Sequence, residues 1–178
     1  MTDYNRIDSS NLFGYTAAGV QVLPNTNSTT LTALGCTLTS GTTYYFPLGA
    51  PKAAATAECA LNTVQVRWDA AIVLTSVQIE TTIFPATSSP GDGRGPTLLS
   101  DFDATAGYWL LQNPTTAYVP VTGGTQTPST MTVTVAGGSA GGCEFDLGNF
   151  GARRARVKIV VAGTGGVVRV GVHGKVGS

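Results

Sequence analysis

The chain is 178 residues long, 42% hydrophobic and 11% charged, with a formal net charge of zero. That length holds one domain with a genuine core and excludes two comfortable ones. Thr, Ser, Gly, Ala and Val take the place of charge, so the Leu, Glu, Lys and Gln runs of long helices are missing and the composition points to an all-β fold. The start, Met1 to Asp8, has no apolar run behind a basic end, so no secretory leader is expected there. Nothing approaches the roughly 18 continuous apolar residues of a membrane-spanning helix.

Residues 1–18 are polar and aperiodic, with Tyr4, Leu12, Phe13 and Tyr15 scattered among them, and read as an N-terminal arm that orders where it meets a neighbour. Residues 19–178 read as a single β domain. Short strands are expected at 19–23, 29–34 and 42–47, punctuated by Pro24-Asn25, Gly35 and Gly41. Residues 50–60 are Ala-rich but contain Pro51 and read as a loop. From Thr63 to Trp68 the chain alternates, with Val64, Val66 and Trp68 on one face, which makes Trp68 a core residue. From Val73 the phase switches, placing Val73, Thr75, Val77, Ile79 and Ile83 together. A switch near Asp69-Ala70-Ala71 is the mark of a bulge or a sharp bend.

Residues 85–106 form a long Gly- and Pro-rich loop, and loops of that length are commonly functional. Strands resume at 107–112, 117–121, 130–136 and 143–147. Trp109 follows Tyr108 in the first of these, so one ring faces in and the other out. The last two strands, 153–161 and 167–176, are joined by Gly163-Thr-Gly-Gly166 and read as a β-hairpin. Short strands at this spacing predict an antiparallel jelly roll or β-sandwich with an extended N-terminal arm.

The charges are unevenly spread. Residues 1–149 carry all 10 acidic groups and 4 basic ones, whereas residues 150–178 carry 6 basic groups and no acidic one. Read as a hairpin with its apolar faces inward, the C-terminal segment gathers Arg154, Arg156, Lys158, Arg169, His173 and Lys175 on one outer surface, with Arg153 next to them at the start of the first strand. Two readings of that surface stay open. Glu80, Asp69 or Glu144 neutralises it from within, or it meets an acidic neighbour. Nucleic acid is disfavoured, because the patch lacks interleaved aromatics and the whole chain carries no basic excess.

Catalytic and metal chemistry find little to work with. His173 is the only histidine, and no Gly-x-Ser-x-Gly elbow accompanies it. Asp92, Asp101 and Asp103 offer oxygen ligands to calcium, but without the spacing of an EF-hand. Cys36, Cys59 and Cys143 lack zinc spacing and read as small buried hydrophobes with no disulfide assumed. No cofactor is expected, and the chain does not read as an enzyme.

Several stretches resemble small jelly-roll proteins encoded among the structural genes of tailed phages. They are Val64 to Val73 followed by Val77-Gln-Ile-Glu-Thr81, Tyr108 to Tyr118, Phe145 to Arg156, and the ending Val168-Arg-Val-Gly-Val-His-Gly-Lys175. The resemblance spans about residues 60–176. It implies a virion location after synthesis in the host cytoplasm, and a head decoration (cement) role without catalysis or cofactor. The implied partner is the major capsid protein or another virion protein, bound as a homo-oligomer, commonly a trimer, with neither nucleic acid nor membrane involved. The basic C-terminal residues named above, with Tyr4 and Phe13, are then the expected protein interface. A carbohydrate- or receptor-binding module of a head fibre or tail tip is the alternative.

Overall fold

The structure, a computed structural model, describes residues 6–9, 12–25, 34–48, 59–82, 110–111, 121–127, 132–146 and 154–176. These hold antiparallel strands in chain order: β1 (Arg6–Ser9), β2 (Gly14–Thr16), β3 (Gln21–Val22), β4 (Pro24–Asn25), β5 (Gly35–Leu38), β6 (Thr43–Pro47), β7 (Cys59–Trp68) and β8 (Leu74–Thr82). There follow β9 (Leu110–Leu111), β10 (Val121–Thr122), β11 (Thr125–Thr127), β12 (Thr132–Val135), β13 (Gly141–Asp146), β14 (Arg154–Val161) and β15 (Gly166–Val176). No helix long and apolar enough to cross a membrane occurs among the described residues.

The strands make two sheets. Sheet A runs β10-β13-β7-β15-β5-β4, with β1 also on β15, and sheet B runs β11-β12-β8-β14-β6-β2-β3, with β9 also on β8. The connections β5–β6, β7–β8, β12–β13 and β14–β15 each carry the chain from one sheet to the other. These turns are tied together by backbone bonds: Gly41 N–H donates to Val161 O, Val73 N–H to Thr164 O, Ala162 N–H to Val73 O, and Gly138 N–H to Ala70 O. The carboxylate of Asp69 adds to this knot, accepting from Ala71 and Ile72 N–H and, across the knot, from Val167 N–H.

The core fills the space between the sheets because alternate residues of each strand are apolar. Val64, Val66 and Trp68 of β7, Cys143 and Phe145 of β13, and Val168, Val170 and Val172 of β15 come from sheet A. Leu74, Val77 and Ile79 of β8, Val133 and Val135 of β12, and Ala155, Val157, Ile159 and Val161 of β14 meet them from sheet B. Trp68 lies in this core, as its alternation requires.

Four expectations need correction. First, β14 and β15 are not a hairpin: β14 pairs with β8 and β6, while β15 pairs with β7, β5 and β1. Second, the inward set of β8 is Leu74, Val77 and Ile79, because Thr75 is an extra residue in the ladder. Val160 and Val161 of β14 stand opposite Ser76 and Leu74, and the same slip appears against β12. Third, the expected arm contains strand: Arg6–Ser9 pairs with β15, and Gly14–Thr16 joins sheet B. Fourth, β5 begins at Gly35, where a turn was expected, and β7 begins at Cys59 inside the expected loop. The loop over 85–106 lies outside the described residues, as do Tyr108 and Trp109.

Residues 12–25 close one side of the sandwich. Leu12 N–H donates to Val170 O of sheet A, and the chain then crosses at Phe13 to β2 in sheet B. After the β2–β3 turn it crosses back at Leu23 to β4 in sheet A. On the opposite side, Gly123-Gly124 carries the chain from β10 in sheet A to β11 in sheet B. Both open edges are thus bridged by short strands that change sheets, which leaves little free edge for unwanted pairing.

Candidate functional site

The outer face of sheet B carries an ion cluster. On β14, Ala155, Val157, Ile159 and Val161 face the core, so Arg156 and Lys158 face away from it. Register places Glu80 directly opposite Arg156, and Tyr45 directly opposite Lys158. Arg156 donates from Nε and Nη2 to Glu80 Oε2 at 2.8 and 2.7 Å. Lys158 Nζ lies 3.3 Å from Glu80 Oε1. The guanidinium of Arg156 also stacks 3.9 Å from the centre of the Tyr45 ring, an attraction of cation for π-face. Arg156 is only 1% exposed. Charge, ring and carboxylate are therefore withdrawn from water together, and a buried charge is tolerable because it is paired and hydrogen-bonded.

The outer face of sheet A is different. Arg67 on β7 and Arg169 on β15 stand directly opposite each other, a like-charge pair that costs the sheet stability. Arg67 is exposed and Arg169 half-buried. Arg67 Nε donates to Gln65 Oε1 at 3.0 Å, and Gln65 Nε2 donates to Glu144 Oε2 at 3.3 Å, so a polar ladder crosses from β7 to β13. Asp69 takes no part in either face, since its oxygens are used by backbone N–H groups of the turns.

The closing edge at 12–25 is apolar. Phe13, Val20 and Leu23 are 49%, 62% and 62% exposed, while Leu12 and Val22 pack against the core. No charged residue occurs between Leu12 and Asn25. Beneath the two crossings lies Cys36, whose thiol is 3.4 Å from Val22 O and 3.7 Å from Leu12 O. Burial pushes the Cys36 thiol up to about 11, against a smaller opposing effect of the Gly14 backbone. Burial raises the Cys143 thiol as well. Both are free thiols.

The residues expected to share one surface are thus divided. Arg156 and Lys158 lie on sheet B, and Arg169 on sheet A, with the core between them. Arg154 is placed by register opposite Thr82, also in sheet B. His173 stands opposite Thr63 and Asp8, and Lys175 opposite Ala60 and Arg6, in sheet A. Arg153 and Tyr4 lie outside the described residues. Phe13 is exposed at the edge. Of the acids named as neutralisers, Glu80 is paired with Arg156 and Lys158. Sequence reasoning missed Arg67, which lies outside the basic C-terminal run, and also Val20 and Leu23, whose exposure follows from the sheet crossings. Among the described residues no group of three or more His, Cys, Asp and Glu side chains is placed to hold a metal ion.

No protein-family model, no curated protein and no solved structure matches the chain.

Proposed function

We propose that this chain is a non-catalytic virion subunit of jelly-roll type, a capsid decoration protein that binds the capsid lattice and further copies of itself. The observation that carries the reading is the strand order. The central strands β13-β7-β15-β5 of sheet A are each joined in sequence to one of β12-β8-β14-β6 in sheet B, in the same spatial order. That order supports the jelly-roll reading, an architecture common in viral capsid and lectin domains. The phage resemblance spans most of these strands.

The uncharged edge with Phe13, Val20 and Leu23 supports protein contact, since exposed apolar side chains grouped together mark interaction surfaces. Weak contacts of this kind, repeated over a lattice, add up to stable attachment. A trimer is the assembly that the resemblance favours. The glycan-binding alternative has less support, because among the described residues Phe13 is the one aromatic side chain that is exposed rather than buried or half-buried.

The reading is tested on particles stripped of the protein. Adding back the natural chain restores resistance to heat and osmotic shock, and adding back a Phe13→Ser, Leu23→Ser variant does not. Stripped particles as resistant as complete ones would contradict a cementing role.

A further inference from the structure

We infer that the outer face of sheet A is a docking surface for an acidic protein segment, with Arg67 as the residue that grips a carboxylate. The inference stands apart from the virion reading and needs only a partner that presents Asp or Glu side chains.

The guanidinium of Arg67 is exposed and already oriented. Its Nε is held by Gln65 Oε1 at 3.0 Å, and Gln65 is held in turn by Glu144. That leaves the fork of terminal nitrogens presented outward, the geometry that matches a carboxylate with two parallel hydrogen bonds. Arg169 stands directly across on β15 and adds its charge, although it is engaged within the chain. The floor beside Arg67 is low. Gly142 is its register partner on β13, and a Cβ there would lie 3.1 Å from Arg67 Cγ. Gly171 is the partner of Gln65 on β15. With Gly142 beside Arg67 and Gly171 beside Gln65, no side chain stands up at those two positions, and another chain is able to approach the sheet there.

Charge decides the class of partner. Arg67 stands opposite a second cation, Arg169, but Glu144 is exposed on the next row. Polyphosphate, with a charge on every unit, would meet that acid when laid over the face. A single carboxylate of a flexible acidic segment enters at Arg67 without crossing it.

The test is titration calorimetry at low ionic strength with a hexaglutamate peptide, a hexaglutamine peptide and linear polyphosphate as probes. The natural chain is expected to bind hexaglutamate in the range of about a millimolar and hexaglutamine not measurably. Arg67→Ala should weaken hexaglutamate by about tenfold, and Arg67→Lys should recover part of the loss, since it restores charge without the fork. Lys158→Gln, on the other sheet, should bind as the natural chain does. Equal binding by Arg67→Ala, an equal loss in Lys158→Gln, or tighter Arg67-dependent binding of polyphosphate than of hexaglutamate would each overturn the inference.

Discussion

Asp69 and Val167, 98 positions apart, hold each other twice: Asp69 N–H donates to Val167 O at 3.1 Å, and Val167 N–H donates to Asp69 Oδ2 at 2.8 Å. This pair joins the β7–β8 turn to the start of β15, extending the β7–β15 pairing of sheet A into the turn by which the chain leaves for sheet B.

Removing that carboxylate strands three backbone donors, those of Ala71, Ile72 and Val167. Asp69→Ala is expected to lower unfolding free energy by about 2–3 kcal/mol in urea titration. Gly166→Ala attacks the same contact from the other side, because its Cβ would lie 2.5 Å from Asp69 Oδ1. The two substitutions should therefore be less than additive in a double-mutant cycle. Full additivity would show that the contact does not couple the turns.

The Arg156–Glu80 pair gives a second prediction. Glu80→Ala leaves a buried guanidinium without its carboxylate and should cost about 3–5 kcal/mol. Replacing both partners, as Arg156→Met with Glu80→Leu, should cost markedly less, since no charge then remains buried. Charge reversal at Arg156 consequently tests folding before it tests assembly, and thermal unfolding of the isolated chain distinguishes the two. A Glu80→Ala chain as stable as the natural one would show that the remaining contacts of Arg156, Tyr45 among them, suffice to hold the cation.

The all-β class and the inward face of β7 are legible in the sequence, and the failure at the C-terminus has a definite cause. Ala155, Val157, Ile159 and Val161 on one strand and Val168, Val170 and Val172 on the next satisfy alternation equally well as paired neighbours or as opposite walls of a core. Paired strands lie about 5 Å apart and stacked sheets about 10 Å, and the short Ala162–Gly165 link spans either. Periodicity therefore cannot separate them, and the expected basic surface was in truth two surfaces. Thr75 hid the inward face of β8 for a similar reason: an extra residue in the ladder leaves no mark of its own in a Val-Leu-Thr-Ser run. Glu80 was legible as a neutraliser of the basic residues. Arg67 was not legible as part of a site, because its neighbour Arg169 is brought to it only by the β7–β15 pairing.

The exposed edge yields a third prediction. Phe13→Ser and Leu23→Ser remove apolar surface that the folded chain leaves in water, so each should change stability by no more than about 0.5 kcal/mol. Self-association, followed by sedimentation, should fall in the double variant. A large loss of stability without any change in association would mean that the edge serves the fold alone.

The thiols give a prediction in pH. The Cys36 thiol rises from 9.0 to about 11 in the folded chain, so the folded state keeps a proton that the unfolded state releases above 9.0. Its contribution to stability is present below pH 9 and is lost as pH climbs through 11. Stability should thus fall across that window less steeply in Cys36→Ala than in the natural chain. At pH 8 alkylating reagent should leave Cys36 and Cys143 unmodified until denaturant is added, as read by peptide mass mapping. Rapid labelling of either in the native chain would contradict their burial.

The central claim, that this chain is a structural subunit of a virion, is tested most directly by counting its copies in purified particles, with quantitative mass spectrometry and image reconstruction of the same sample. The account predicts a copy number matching the capsid lattice, with density on the outer shell at symmetry-related positions. Complete particles that contain none of the protein would contradict it.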